Sequence, residues 1–382
     1  MLSTRFAPLM PPTSSYEKLH VKPVVNACGI YTDLGGSCLS PSVWAGLEEV
    51  NREWASIPEL LEASGERIAA LVGSEAARVA PGASACIALG VAACIAGRRG
   101  DLNERLPSGD AERRTVLLQR GHDYKYARCA LLAGAELGEA PAGSPARLAE
   151  ALTPDVAAIL HPAHLDGRDG TLPLAEVLEV TRERGVPVLV DAAYLSYPTE
   201  MVGRWAGSGA DLVCFSAKYF YGPNAGGFMA GDRELIEAVA ELDFTHFEAG
   251  PYLTFGRPFK LDRIAIAGTV LALEEWLAMD HAARWREYER RVAALAERLR
   301  AESGLSVSER QFTLDERIAE GPVNSLVVEL ESAERAAEVE RHLARGEPRV
   351  FCVPVGGRLV FCVETVRPDQ DEALAAQILA CV

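Results

Sequence analysis

Lysine is scarce in this sequence. Of 38 basic side chains in 382 residues, only five are lysine, at positions 18, 22, 125, 218 and 260, so the basic surface is built from arginine. Against 54 acidic residues the formal net charge is −16 and the sequence pI about 5.0. Binding to a phosphate backbone needs dense Lys and Arg, so this balance argues against nucleic acid as a partner. No apolar run approaches a membrane span, and the opening MLSTRFAPLMPPTSSYEK lacks the apolar core of a signal peptide. A cytoplasmic protein with no membrane partner is expected. The nine cysteines, at 28, 38, 86, 94, 129, 214, 352, 362 and 381, form no CxxC and no tight Cys/His cluster, which fits buried reduced thiols. Neither a GxGxxG after the first strand nor a P-loop is present, which counts against a nucleotide-binding Rossmann protein. No internal repeat or low-complexity tract is visible, and the length suits one large domain plus a smaller one.

One of the five lysines stands in an apolar setting. In DLVCFSAKYFYGPNAGGFMAGD, residues 211–232, positions 212–215 read as a short buried strand, with Ser216 and Ala217 as small turn residues before Lys218. Gly222, Pro223, Gly226 and Gly227 return the chain to a second apolar stretch at 228–230. A buried ammonium costs on the order of several kcal/mol unless it is paired or neutralised, and a Schiff base with a carbonyl cofactor neutralises it. The alternative is a solvated lysine at a strand end.

An aspartate 27 residues upstream favours the cofactor. In VPVLVDAAYLSYP, residues 186–190 read as a fully buried parallel strand with Asp191 at its carboxyl end, where open α/β sheets hold ligand groups. A pyridinium nitrogen needs a carboxylate beside it to stay protonated, and a strand-end Asp followed by small residues supplies one without crowding the ring. Strand-Asp-Ala-Ala followed by strand-Ser-x-Lys is the order expected of a pyridoxal phosphate enzyme. As a bland alternative, Asp191 caps a turn.

Other segments fall into place around this pair. Residues 1–20, rich in Pro, Ser and Thr, read as a loose arm; a short strand, a glycine turn at Gly35-Gly36 and a helix opening at Ser40-Pro41 follow. Pro81, Gly82, Ala83 and Ser84 form a turn before an apolar helix, whose first N–H groups and the Ser84 hydroxyl suit a phosphate, or equally a simple cap. Residues 101–114 read as a surface loop. The strand at 115–119 delivers His122, placed to stack on a flat ring or to sit as an ordinary polar loop residue. After the strand at 156–160 comes His164-Leu165-Asp166-Gly167, similar to the segment of cysteine desulfurases and aminotransferases in which a polar side chain contacts the cofactor's ring hydroxyl; Asp166 is the nearest equivalent. His161, His164, Asp166 and Asp169 fit no familiar metal spacing, and no metal is expected. Arg257, Lys260 and Arg263 form a basic loop suited to the phosphate of a neighbouring subunit's cofactor, or simply solvated. Residues 268–303 read as a long connecting helix kinked near Asp280-His281, and 349–364 as a hairpin turning at Gly356-Gly357.

With these residues in view, the chain resembles the selenocysteine-synthase-like branch of fold-type I pyridoxal phosphate enzymes, in particular members of the D-glucosaminate-6-phosphate ammonia-lyase type. The similarity runs from about residue 24 to about 280 and is carried by VVNACGIYTDLGGSCLS, IAALVGSEAARVAPGASACIAL, GVPVLVDAA, DLVCFSAKYFYGPNAGGFMAG and GRPFKLDRIAIAGTVLALEEWL. It implies an α/β fold of the aspartate aminotransferase type, with a mixed, mostly parallel sheet in a large domain (21–267) and a smaller α+β domain behind a connecting helix (268–382). It implies Lys218 as the Schiff-base lysine, Asp191 at the pyridinium nitrogen, Ala193 and His122 against the two ring faces, and Gly82, Ala83, Ser84 and Ser216 at the phosphate. It also implies a homodimer or larger homo-oligomer with sites between subunits. The substrate expected is a small amine, with Arg257 and Arg367 as carboxylate anchors and aminoacyl-tRNA disfavoured by the charge and the short N-terminal stretch. The reaction expected is Cα deprotonation with β-elimination. Transamination, racemisation and desulfuration share the first step, and a non-catalytic cofactor-binding regulator is the distant alternative.

Overall fold

The structure is a computed structural model and describes residues 15–108, 111–141 and 143–382. Most of the expected arm, residues 1–14, lies outside the described residues; within the rest of it Ser15–Lys18 is a short exposed helix. Two compact units divide the chain, one comprising Gly35–Met279 and the other the residues up to Leu34 with Asp280–Val382.

The larger unit is built on a seven-stranded sheet: β1 (Ala76–Ala80), β2 (Thr115–Gln119), β3 (Glu136–Ala140), β4 (Val156–Pro162), β5 (Val188–Asp191), β6 (Leu212–Ser216) and β7 (Gly227–Gly231). Their order is β1-β7-β6-β5-β4-β2-β3, and only β7 runs antiparallel to its neighbours. The other six strands therefore point the same way and bring their carboxyl ends to one edge. Every residue of β1, β4, β5, β6 and β7 is buried. Helices cover both faces of the sheet, which is why these strands read as unbroken apolar runs without alternation. One face packs the Ile57–Val72, Leu174–Arg184 and Arg263–Ala278 helices over a core that includes Phe215, Phe220 and Phe228. The other packs the Ala83–Ala96 helix, apolar on all sides. Gly90 lets that helix lie on the sheet, since a Cβ there would come within 2.5 Å of Leu189 Cδ1. This is the expected α/β architecture.

The smaller unit has a five-stranded antiparallel sheet with Val307–Phe312, Ser325–Glu329 and Arg358–Cys362 at its centre, backed by the His281–Ser303, Ala333–Leu343 and Asp371–Cys381 helices. Arg291, buried, joins two of these helices by two bonds to Asp371 (2.6 and 2.9 Å) and donates to the carbonyls of Val363 and Val366.

Several local features differ from expectation. Against expected boundaries at 20/21 and 267/268, the compact units divide at 34/35 and 279/280. The physical reasons are that Val24–Asn26 pairs in parallel with Arg349–Phe351, and that Arg263–Ala278 packs on the large core. The long helix is two helices, because the Asp280 carboxylate caps a fresh start by accepting from Ala283 N at 2.8 Å. Residues 101–114 are not all loop: Gly100–Arg105 is a helix with Leu102 buried. The hairpin is shorter than expected, since Cys352 separates Arg349–Phe351, which pairs elsewhere, from Val353–Val355, which pairs with Arg358–Cys362.

Candidate active site

Five strands deliver the expected site residues to the carboxyl edge of the large sheet: β1 leads to Gly82, β2 to His122, β4, which contains His161, to Asp166, β5 ends at Asp191 and β6 runs into Lys218. Asp191 is 7% exposed and Lys218 9%. They come from neighbouring strands, where Asp191 pairs with Cys214.

Burial pushes the Asp191 carboxyl up to about 6. Its hydrogen-bond partners here are neutral: Ala193 N donates to Oδ1 at 2.9 Å, and the Tyr124 hydroxyl donates to Oδ2. Ala193 also accepts from Ser216 N at 3.1 Å, so one residue ties the ends of β5 and β6 together. Lys218 sits in the turn Ala217–Phe220, with its ammonium 4.9 Å from the centre of the Tyr219 ring. Two backbone features crowd this turn. A Cβ on Gly36 would fall 3.1 Å from Lys218 Cβ and 2.8 Å from Asn224 Oδ1, so the turn comes this close to the lysine because position 36 has no side chain. Tyr221, three residues on, is held at φ 58°, a left-handed conformation that costs a non-glycine residue about 1–3 kcal/mol and marks functional turns; its ring is pinned edge-on to Trp276 at 5.2 Å.

At the end of β1, Gly82 has φ 81° and opens the Ala83–Ala96 helix. A Cβ on Gly227 would lie 2.7 Å from Gly82 Cα, so the helix start is locked against the strand that follows the lysine turn. The first-turn N–H groups of this helix have no helical carbonyl to serve them, and Ser84 in that turn is exposed. Ser216 is buried at the end of β6.

His122 is buried, and its ring nitrogens make no hydrogen bond to another side chain. Burial, with the His161 ring beside it, lowers its pKa to about 4, so it is a neutral flat ring at neutral pH. It meets His161 edge-on, with centroids 5.3 Å apart at 87°. His161 is fully buried and bonds through Nε2 to Asp166 Oδ1 at 3.1 Å; that oxygen also accepts from Leu174 N at 2.7 Å. Burial raises the Asp166 pKa, but the His161 and Leu174 bonds outweigh it and hold the carboxyl below its usual value. Asp166 thus supports His161 and the start of the Leu174–Arg184 helix.

Arg257 forms an ion pair with Glu248, Lys260 is exposed, and Arg367 lies in the smaller unit, bonded to Asp369 at 2.9 and 3.0 Å. A cavity of about 330 Å³ at the start of β1, lined by Glu62, Arg78, Arg233 and Glu237 among others, contains none of the expected site residues. Among the described residues no group of three His, Cys, Asp or Glu side chains is placed to hold a metal ion, and no helix is long and apolar enough to cross a membrane. Sequence reasoning missed Tyr124, Tyr194 and Tyr219. Their one signal is position, each lying a few residues past the end of an apolar strand.

A buried carboxylate without a cation, a buried lysine one strand away, a neutral flat ring and a helix start for an anion together fit pyridoxal phosphate. Comparison with known proteins agrees. Residues 142–311 match the DegT/DnrJ/EryC1/StrS aminotransferase family. A 5'-C-glycyluridine monooxygenase-decarboxylase from Streptomyces sp is 31% identical, over 96% of this chain and 91% of that protein. The D-glucosaminate-6-phosphate ammonia lyase of Salmonella typhimurium is 28% identical over 68% of this chain and 69% of its own length. A solved structure of a D-glucosaminate-6-phosphate ammonia-lyase superposes with a TM-score of 0.82 at 26% identity, covering 97% of this chain and 98% of that one.

Proposed function

The chain belongs to the selenocysteine-synthase-like branch of the fold-type I pyridoxal phosphate enzymes, and from that premise we propose that it is a lyase that removes the α-proton of an amino acid or amino-sugar acid and expels a group from the β carbon. The observation that carries this reading is the pair Asp191 and Lys218, a buried carboxylate with neutral partners and a buried lysine on adjacent strand ends. Pyridoxal phosphate, when bound, supplies an electron sink that lets a carbanion form at Cα. Asp191 holds a proton at the ring nitrogen, where its burial makes a cationic partner favourable. Lys218 would hold the cofactor through its side-chain amine, and that amine, once free, would be the group placed to take and return the proton at Cα. His122 and Ala193 would bound the two ring faces. Gly82, Ala83, Ser84 and Ser216 would hold the phosphate through N–H and hydroxyl donors. Asp166 acts indirectly, by fixing His161 against His122.

The substrate is a small molecule. A homodimer, with Arg257 and Lys260 serving the partner's site, is supported by the large exposed apolar side chains of this unit, Trp54 at 90%, Leu253 at 65% and Trp44 at 63%. Residence in the reducing cytoplasm is supported by nine free cysteines. Light scattering on the purified protein checks the dimer; a monomer at micromolar concentration would end that part of the reading.

The test is an absorbance spectrum of the protein with added cofactor, then assays of ammonia and keto acid over a panel of amino acids and amino-sugar acids. A visible band at roughly 410–430 nm, absent in Lys218→Ala, with ammonia released from one compound, is the expected result. A protein that takes up no pyridoxal phosphate would sink the reading. A second reaction is favoured by the 31% identity along nearly the whole chain to a monooxygenase-decarboxylase: oxygen-dependent decarboxylation of an amino acid. Oxygen uptake with carbon dioxide release, in place of ammonia, would select it.

A further inference from the structure

The cavity of about 330 Å³ at the start of β1 lies at the opposite edge of the large sheet from Asp191 and Lys218, which sit at and just past strand carboxyl ends. The Ile57–Val72 and Arg233–Leu242 helices and the first residues of β1 wall it, and its size is at the lower end of the range for small-molecule sites. The space is left open because the walls carry small residues: Gly65 and Ala69 on one helix, Ala76 and Ala77 on the strand, Ala240 on the other helix.

Charges of both signs line this space. Arg78 is the buried one, its side chain 7% exposed. Its Nε and Nη2 bond Asp243, which is not part of the wall. Its Nη1 makes no hydrogen bond among the described residues, and its ionic contact is with Glu62 Oε2, a wall residue, at 3.6 Å. A guanidinium held on two nitrogens by Asp243 thus presents the third to the cavity. Arg233, exposed, rests one nitrogen on the Glu75 carbonyl at 2.6 Å and has donors left over. Of the wall's carboxylates, Glu237 is paired with Arg98 at 2.5 Å, whereas the Glu66 and Glu75 side chains have no partner among the described residues.

An anion alone here meets four glutamates, and a cation alone meets a buried guanidinium that water screens little. A molecule that carries both signs meets neither penalty. We propose that the cavity is a binding site for a small zwitterion, a free amino acid by class, with its carboxylate on Arg78 Nη1 and Arg233, its ammonium on Glu66 and Glu75, and its aliphatic part against Ala77 and Ile236. A bond from a buried guanidinium to a carboxylate is of the strong, charge-assisted kind, because little water competes for it. The site is separate from the reaction edge and stands whether or not the reading of that edge holds.

The test titrates N,N-dimethylglycine into the purified full chain and reads binding by saturation-transfer NMR. Its tertiary nitrogen keeps a charge and one N–H donor but forms no Schiff base, so covalent capture by a carbonyl cofactor cannot mimic the result. Isovalerate has the same shape without the positive charge, and N,N-dimethylglycinamide has it without the negative one. Native protein binds the zwitterion at least about tenfold more tightly than either, as expected for one hydrogen bond between charged groups. Arg233→Ala narrows the advantage over the amide, and Glu66→Gln narrows the advantage over isovalerate; both positions are exposed, so neither change touches the core. Lys218→Ala keeps both advantages. Equal binding of the three compounds by native protein, advantages unchanged in both surface variants, or their loss in Lys218→Ala would each overturn the site.

Discussion

The Tyr124 hydroxyl donates to Oδ2 of Asp191, and the two side chains, 8% and 7% exposed, reach each other from strands β2 and β5, which are not neighbours in the sheet. Burial pushes Asp191 up to about 6 against the Ala193 N–H bond; a hydroxyl that donates to the ionised carboxylate acts in the same direction as that bond, so Tyr124 is expected to hold the value down. In Tyr124→Phe the carboxyl titrates higher still, by about one pH unit for a lost hydrogen bond to a charged group. Affinity for pyridoxal phosphate, which needs the carboxylate, therefore falls away at a higher pH in the variant than in the native protein. Cofactor dissociation constants between pH 5 and 8 measure this; coincident profiles would show that the tyrosine does not tune the aspartate.

Asp191 itself opposes folding when the cofactor is absent. Its folded pKa, about 6, lies above the ordinary 3.8, so the folded state binds more protons between those values. Its contribution is most favourable below pH 3.8 and is lost as pH rises through about 6. At neutral pH the ionised group costs cofactor-free protein about 2–3 kcal/mol. Asp191→Asn is accordingly more stable than native protein without cofactor at pH 7.5, by up to that amount, and the gap closes below pH 4. Urea unfolding at the two pH values measures it, and a less stable variant at pH 7.5 would contradict the account. With cofactor present the order reverses, because the variant cannot hold the charged ring nitrogen.

These two residues differ in how well the sequence revealed them. A parallel sheet buried on both faces leaves apolar runs so continuous that a charge at their ends, Asp191 or Lys218, is conspicuous. Tyr124 carried no such mark. Its value depends on β2 lying two places from β5, and strand order is not written in local pattern. Asp166 was singled out for a similarity in its segment, yet its carboxylate is engaged by His161 and Leu174, contacts set by how the loop after β4 folds back. The parallel pairing of Val24–Asn26 with Arg349–Phe351 joins residues more than 300 apart, which periodicity cannot foresee.

Asp166 can be tested as a support. Asp166→Ala leaves the Leu174 N–H and the fully buried His161 without their acceptor, at a cost of about 2–3 kcal/mol, while Asp166→Asn keeps a carbonyl oxygen in place and costs less. The carboxyl's lowered pKa adds stability that is present above its ordinary 3.8 and is lost as pH falls through the depressed folded value. Thermal unfolding from pH 2 to 7 checks both points. If Asp166→Ala is as stable as native protein, the aspartate is free for a direct contact with ligand.

Away from the site, Arg78 and Asp243 form an ion pair inside the large unit, with side chains 7% and 6% exposed and bonds of 2.6 and 3.0 Å. Asp243 has a second task, since its other oxygen accepts from Thr245 N and Thr245 Oγ1 at the start of the Phe244–Ala249 helix. Asp243→Ala leaves buried Arg78 only its longer contacts, with exposed Glu62 at 3.6 Å and the Thr245 hydroxyl at 3.5 Å, and also removes the helix cap, so it destabilises by about 3 kcal/mol. Arg78→Met leaves the carboxylate its helix-capping bonds and costs less than Asp243→Ala. The double variant Arg78→Met/Asp243→Asn is more stable than the sum of the single changes, because no buried charge remains uncompensated. Urea unfolding of the four proteins closes the cycle. Strict additivity would mean that water reaches the pair and that its two charges are not coupled.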